Sequence, residues 1–375
     1  MPAEEVLASG LVERIGQASG KLTYESEKFS FSEEMEIKDH SVALKSITDI
    51  LMHVENGVIK DASEISAIGH RVVHGGDKFT ETVVIDEKVK HTIKELFSLA
   101  PLHNPPNLTG IEVAETIFPN AIQIAVFDTS FHSTIPEKAA RYAIPNSFYD
   151  DHKIRMYGFH GTSHKYVSEK AIKYLRKENS NIITIHLGNG CSMTAVKDGK
   201  SVDHSLGFGP VNGLIMGTRS GDIDQSIIFY LVRELGYTMG EVSSLLHHKS
   251  GMLGLTGYSD LRDIEAAAEE GNKMCQLALE MNTYRIKKYI GAYTAAMNGL
   301  DALVFTAGIG ENSSTIRSMV CKDLEYFGIE INENENQQRR KILREINQPD
   351  SKVKILVIPT NEEIEIAQQV FDLVS

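Results

Sequence analysis

No stretch of this sequence approaches the roughly 20 consecutive apolar residues that span a bilayer. No basic segment precedes an apolar core in the opening MPAEEVLASG, so neither a membrane helix nor a secretory signal is expected, and the expected location is cytoplasmic. Cysteine is scarce. Cys191, Cys275 and Cys321 are scattered, odd in number and in no metal-ligand spacing, which excludes a zinc site built on cysteine pairs and suits a reducing compartment. Positive charge is in deficit: a net charge of −13 argues against nucleic acid or an anionic membrane as a partner, and leaves any anionic ligand to local basic residues. Neither GxxxxGKS/T nor GxGxxG occurs, so a P-loop and a dinucleotide-binding Rossmann site are not indicated. Tandem repeats, low-complexity segments and a helix-turn-helix pattern are also missing. What remains is an ordinary globular composition, 42% hydrophobic and 24% charged. At 375 residues it exceeds one comfortable core, so two domains are expected.

The chain is organised around Asn181–Val196, NIITIHLGNGCSMTAV. A β-branched run, Ile182, Ile183 and Ile185, ends at His186-Leu187-Gly188-Asn189-Gly190, and a second apolar run follows at once. Two such runs joined by Gly-Asn-Gly read as a β-hairpin. The turn serves either as a plain hairpin connection or as a nest of backbone N–H groups for an anion.

Before it, residues 1–35 suggest short strands, and His40–Val54 an amphipathic helix with Ala43, Leu44, Ile47, Ile50 and Leu51 on one face. Ile65–Gly76 reads as a buried strand running into a glycine pair. Asp86 caps a helix carrying Val89, Ile93, Leu96 and Phe97. Leu99–Asn107 reads as a proline-stiffened loop, Ile122–Phe127 as a strand with Asp128 at its C-terminal end, and residues 133–155 as a linker or hinge. After the hairpin come the glycine-rich Val202–Gly221, a helix ending near Gly236, and a capping box at Thr238 and Glu241. A long helical pattern over Gly271–Gly299 is expected to be buried through Leu277, Met281, Ile286, Ile290, Tyr293 and Met297. Ala302–Thr306 and Val353–Ile358 are further strands, and a helix closes the chain at Val374. Strands alternating with helices in both halves predict α/β layers.

Three strands end in small-residue loops, HLGNG, AGIGENS and IPTNEE, the last two leading into helices whose first-turn N–H groups favour phosphate. Arg71, His103, Asp128, His160 and Arg219 are polar residues stranded in apolar or glycine-rich settings. Singly, each is a satisfied structural group, as His74 and His164 are read to be. Together they suit phosphoryl transfer, which needs cations around the moving group and rigid loops to place them. Glu362 and Asp128 are natural hard-oxygen partners for Mg²⁺.

GHRVVHGG, APLHNPPN, VFDTSFH, YGFHGTSH, HLGNG, MGTRSGDID, FTAGIGENS and IPTNEE follow in order and spacing a pattern that resembles the acetokinase family, of the sugar kinase, Hsp70 and actin superfamily. The resemblance covers nearly the whole chain. It implies ATP + acetate ⇌ ADP + acetyl phosphate with Mg²⁺ (Mn²⁺ as a substitute), and a cytoplasmic homodimer joined through the C-terminal domain. The implied fold is two actin-like (ribonuclease H-like) domains with an active-site cleft between them. Residues 1–132 with 363–375 would form the acyl-substrate domain, and 133–362 the nucleotide-binding domain.

By the same resemblance Arg71 binds substrate beside His103, and Val73, Leu102, Phe159 and Pro210 receive the methyl group. His160 and Arg219 stabilise the transition state, and Asp128 is the residue usually given a proton-transfer role. Nucleotide is implied at His186, Leu187, Gly188, Asn189 and Gly190, at Asp260, Leu261 and Arg262, and at Gly308, Ile309, Gly310, Glu311 and Asn312, with Glu362 as the metal ligand. Departures from the pattern are Cys191 for serine, Gln225 for proline and Leu261 for phenylalanine. The family's opening strand and serine-rich loop, roughly N-x-G-S-S-S-L-K, have no counterpart, since MPAEEVLASGLVERIG aligns just downstream. The expectation is a truncated form or an upstream start, with poor turnover from the chain as written.

Acetate is already ionised at pH 7 and needs no general base, so Asp128 is expected to orient rather than to remove a proton. Arg219, in its glycine-rich loop, is expected to follow the phosphoryl group. The alternatives are a propionate or butyrate kinase of the same family, and a nucleotide-binding protein without transfer activity, to which the paired Arg71 and Arg219 are opposed.

Overall fold

Runs rich in valine and isoleucine become strands, because branched side chains pack well on a pleated surface. In the computed structural model, which describes residues 4–17 and 19–375, Ile122–Phe127 and Ala302–Thr306 are strands with the bounds expected from sequence. The chain divides into one unit of Met1–Ser130 with Glu363–Ser375, and another of Phe131–Glu362.

In the first unit β1 (Ala8–Glu13), β2 (Gly20–Ser26) and β3 (Ser30–Met35) form an antiparallel sheet. Leu22 and Ile37 pack there against Ala43 of helix His40–Leu51, which Asp39 caps by accepting the Val42 N–H at 2.9 Å. A second sheet has the order β4 (Ala67–Val72), β6 (Ile122–Phe127), β5 (Val83–Val84), with β4 and β6 parallel. Its core holds Val72, Ile93, Ile111 and Phe127. The closing helix Glu362–Val374 packs directly on β4. A Cβ on Gly69 would lie 2.5 Å from Ile366 and 2.8 Å from Val370, so only glycine lets the helix approach.

Two expectations fail in this unit. β4 is not a buried strand: it is an edge of its sheet, and its Arg71 side chain is 43% exposed. Leu99–Asn107 is not a proline loop throughout. Pro105 and Pro106 fall in the first turn of helix Asn104–Ile117, where a missing N–H costs nothing.

The second unit is built on one six-stranded sheet. Its strands are β7 (Asn181–Leu187), β8 (Cys191–Lys197), β9 (Lys200–His204), β10 (Ala302–Thr306), β11 (Arg344–Glu345) and β12 (Lys354–Val357), in the order β11-β12-β10-β7-β8-β9. β7, β10 and β12 are parallel, while β8 and β9 continue antiparallel from β7. An antiparallel hairpin pair with parallel strands added beside its first strand is the arrangement expected of an actin-like domain. β7, β8 and β10 are buried almost throughout, because helices cover both faces. Helix Gly161–Leu175 supplies Val167 and Ala171 to the core with Val196, Val304 and Leu356.

Residues 133–155 are not a linker. They carry the short helices Glu137–Ala140 and Ser147–His152, and Arg141 lies 3.7 Å over the Tyr149 ring. Helix Lys273–Met297 buries Ile286, Ile290, Tyr293 and Met297 as expected, but Leu277 and Met281 are exposed. With Tyr284 they form an i, i+4, i+7 stripe that faces outward.

Both units bury neutral histidines. Burial pushes His74 down to about 4, and His164 and His204 well below the ordinary histidine value, with neighbouring rings adding to the last two. Each takes up a proton on unfolding, so its stabilisation is complete above the unfolded value of about 6.5 and declines as pH falls toward the folded value. For His74 that window runs from about 6.5 to about 4 and is worth on the order of 3 kcal/mol. The melting temperature is therefore expected to drop steadily between pH 7 and pH 5 in calorimetric scans. A flat profile across that range would show these rings to be charged or solvated in the folded chain.

Candidate active site

Arg71 and Val73 stand at the end of β4, and Asp128 follows β6, whose residues Val126 and Phe127 sit opposite Arg71 and Val72. Parallel register thus brings arginine and aspartate together. Arg71 Nε donates to Asp128 Oδ1 at 2.9 Å and Nη2 to Oδ2 at 2.7 Å, a two-pronged pair in which the carboxylate is 1% exposed. The pairing fixes the plane of the guanidinium, and breaking such a pair by removing one partner costs about 3–5 kcal/mol.

The loop after β4 is fastened to the helix that follows it. His74 N–H donates to Asn104 Oδ1 at 3.1 Å while Asn104 Nδ2 donates back to the His74 carbonyl at 2.9 Å. Asn107 Oδ1 accepts from Val73 N–H, and Thr129 Oγ1 from Gly75 N–H. His103 precedes the helix, and Leu102 beside it is 64% exposed, so in its own unit Leu102 forms no closed apolar pocket.

In the second unit a cavity of about 780 Å³ opens among the small-residue loops. Leu187, Gly188 and Asn189 line it from the hairpin, Asp260, Leu261 and Arg262 from a helix start, and Gly308, Ile309 and Asn312 from the segment after β10. Asp260 caps the helix Leu261–Glu269 and pairs with Arg262 at 2.5 Å, which holds its carboxyl down at about 2. AGIGEN is itself a helical turn, Ala307–Asn312, rather than a loop leading into a helix. Gly310 and Glu311 do not line the cavity; they lie behind it. The fully buried Arg317 donates to both of their carbonyls, at 2.9 and 3.0 Å, and Arg344 donates to Glu311 O at 3.1 Å. His186 and Gly190 are likewise outside the lining.

Sequence reasoning missed the cavity's other wall. Ile215, Met216 and Gly217, Met252, Glu265, Asn282 and Arg339 come from distant segments, and only the glycine-rich run was a signal. Burial raises the Glu265 carboxyl, whose Oε1 accepts from Ser313 Oγ at 2.5 Å.

His160 and Arg219 meet over the hairpin turn. His160 Nε2 lies 3.5 Å, and Arg219 Nη1 3.9 Å, from where a Cβ on Gly190 would stand. His160 is stacked on His186 at 4.5 Å. Phe159 is buried before it, and Pro210 contributes its carbonyl to Arg219 Nη1 at 3.1 Å. Backbone hydrogen bonds fasten the loop carrying Arg219. Gly217 N–H donates to Asn189 O, Ser220 N–H to Leu246 O, and Ser250 and Leu253 N–H to Thr218 and Gly217 O. Gly251, at φ +61°, comes so close to the Met216 carbonyl that a Cβ would collide with it.

Phosphoryl transfer usually uses a divalent ion held by one or two carboxylates with phosphate oxygens and water. Glu362, a hard oxygen donor at the start of the last helix, fits it.

The acetokinase family model matches residues 1–368. Acetate kinase of Flavobacterium johnsoniae is 64% identical over 373 residues, covering 100% of this chain and 94% of that protein. The crystal structure of Porphyromonas gingivalis acetate kinase superposes with a TM-score of 0.93 at 44% identity, over 99% of this chain and 94% of that one. A propionate kinase structure from Francisella tularensis gives 0.90 at 42% identity, over 98% and 93%. With the family's fold and motifs present together along its length, this chain belongs to the acetokinase family.

Proposed function

We propose that this chain transfers the γ-phosphoryl group of ATP reversibly to the carboxylate of acetate, giving acetyl phosphate and ADP with Mg²⁺. The observation that carries the reading is the 780 Å³ cavity walled by all three expected nucleotide segments, in a chain 64% identical throughout to an acetate kinase. In the transfer an acetate oxygen forms a bond to the γ-phosphorus as the bond to the β,γ-bridging oxygen breaks, and ADP leaves with that electron pair. No proton moves at the start, because acetate is ionised.

Arg71, held in plane by Asp128, neutralises the acceptor, and His103, Val73, Leu102, Phe159 and Pro210 are the further residues assigned to it. Arg219 and His160 act on the phosphoryl oxygens as charge spreads over them. His186, Gly190, Gly310 and Glu311 support the nucleotide segments from behind. Glu362 would hold Mg²⁺, which would neutralise phosphate charge; Mn²⁺ has the same ligand preference. The first unit is the acyl side and the second the nucleotide side. A longer acyl acceptor is the second reading, favoured by the likeness to a propionate kinase.

Incubation with ATP, Mg²⁺, acetate and hydroxylamine should yield acetohydroxamate, and chelation of the metal should abolish it. Propionate is expected to be poorer in kcat/KM by about tenfold or more, the discrimination of one methylene. Arg219→Ala should lower kcat by on the order of 10³ with the KM for ATP within a few-fold. Nucleotide binding without any hydroxamate would overturn the transferase reading, and a purely KM effect would overturn the role of Arg219.

The second unit also leaves Ile227, Phe229 and Tyr230 exposed on helix Ser226–Arg233, and a groove of about 540 Å³ beside Leu277, Met281 and Tyr284. A second copy of the chain, covering these side chains, is the assembly we propose. Sedimentation velocity should give about twice the 41.5 kDa chain mass, and Phe229→Glu with Tyr230→Glu should halve it. A monomer at micromolar concentration contradicts the proposal.

A further inference from the structure

His160 rests on a set of buried rings whose protons are assigned by their partners. His132 Nε2 lies 3.0 Å from the Phe159 carbonyl, which only accepts, so His132 donates from Nε2, and its Nδ1 lies 2.9 Å from Ser201 Oγ. His204 Nε2 accepts the Phe159 N–H at 3.1 Å, so its proton sits on Nδ1 and goes to Thr194 Oγ1 at 2.8 Å. Two rings thus grip both backbone groups of Phe159, immediately before His160 in its left-handed conformation at φ +56°.

A third ring reaches the His160 side chain. Thr184 Oγ1 is 2.7 Å from His164 Nδ1, His164 Nε2 is 2.7 Å from Ser192 Oγ, and Ser192 Oγ is 2.8 Å from His160 Nδ1. Each hydroxyl has a single proton, so the chain runs in one of two directions. Thr184 decides between them. It is fully buried, and among the described residues His164 is the only side-chain partner of its hydroxyl. Were His164 to donate to Thr184, the threonine proton would be buried without an acceptor, at a cost of about 1–3 kcal/mol. The chain therefore runs Thr184 O–H to His164 Nδ1, His164 Nε2–H to Ser192, and Ser192 O–H to His160 Nδ1.

We infer that His164 is a positioning residue for the transfer, acting through Ser192 to hold His160 as the neutral tautomer with its proton on Nε2. That is the nitrogen 3.5 Å from where a Cβ on Gly190 would stand, a point 3.9 Å from Arg219 Nη1. An imidazole with the proton on Nδ1 would turn a lone pair, not a donor, toward phosphoryl oxygens. The inference rests on the reading of His160 given above. It also moves His164 out of the purely structural class to which sequence assigned it. Burial, which keeps His164 uncharged, agrees with its accepting from Thr184.

The test uses the whole chain labelled with ¹⁵N-histidine, in which two-bond ¹⁵N–¹H correlations distinguish the tautomers. His160 is expected to carry its proton on Nε2. Ser192→Ala, which removes one atom, is expected to release it into a mixture and to lower kcat by about tenfold or more, as loss of an orienting partner does, with both KM values within about twofold. His164→Gln, whose amide still donates to Ser192, should keep the tautomer and recover most of kcat; His164→Leu should not. A proton on Nδ1 in the unaltered chain, or an unchanged tautomer in Ser192→Ala, overturns the inference. A shifted tautomer with unchanged kcat leaves the relay standing and overturns the role of His160 instead.

Discussion

A polar group taken out of water must find a partner, and that constraint organises the second unit. Its central hairpin, β7 and β8, is buried on both faces yet carries Thr184, His186, Ser192 and Thr194 among its isoleucines and valines. A plain hydrophobic core would tolerate the same strands in looser register. Here a slip of one residue would separate Thr184 from His164 and Ser192 from His160, stranding several buried donors and acceptors at once. The hydrogen bonds therefore specify where the turn Gly188–Gly190 stands and which edge of His160 faces it.

The same economy holds the walls of the cavity. Arg317 is among the largest fully buried side chains, and it spends its donors on carbonyls of Gly310, Glu311 and Asn336 rather than on a carboxylate. A charged group in that position stiffens the turn after β10 without adding an anion beside the cavity. In the first unit the pairing of Arg71 with Asp128 does comparable work: the aspartate is satisfied as an acceptor, which suits an orienting role better than proton transfer. Transfer between two anions asks for such fixed cations and donors, and for no base.

Much of this was legible in the residues. Apolar runs rich in isoleucine and valine announced β6, β7 and β10, and the caps at Asp86 and Thr238 were read from the side chains that make them. The loops HLGNG and AGIGENS, which contribute to the cavity wall, stood out as small residues at strand ends. β9, KSVDH, was missed because its strand pairing comes from β8 and not from an apolar alternation. Pro105 and Pro106 misled because proline signals a loop everywhere except in a helix's first turn. Asn282, Glu265 and Arg339 were invisible as cavity residues, since only tertiary packing carries them there. His164 looked structural because sequence does not show that Thr184 polarises it and Ser192 passes the effect on.

The central claim is that phosphate moves directly from nucleotide to carboxylate, with the protein supplying fixed cations and donors but no covalent intermediate. ATP made chiral at the γ-phosphorus with oxygen isotopes reports the number of displacements. A single in-line transfer to acetate predicts inversion of configuration in the acetyl phosphate formed. Retention would mean that a side chain of this protein carries the phosphoryl group in transit, and would contradict the account.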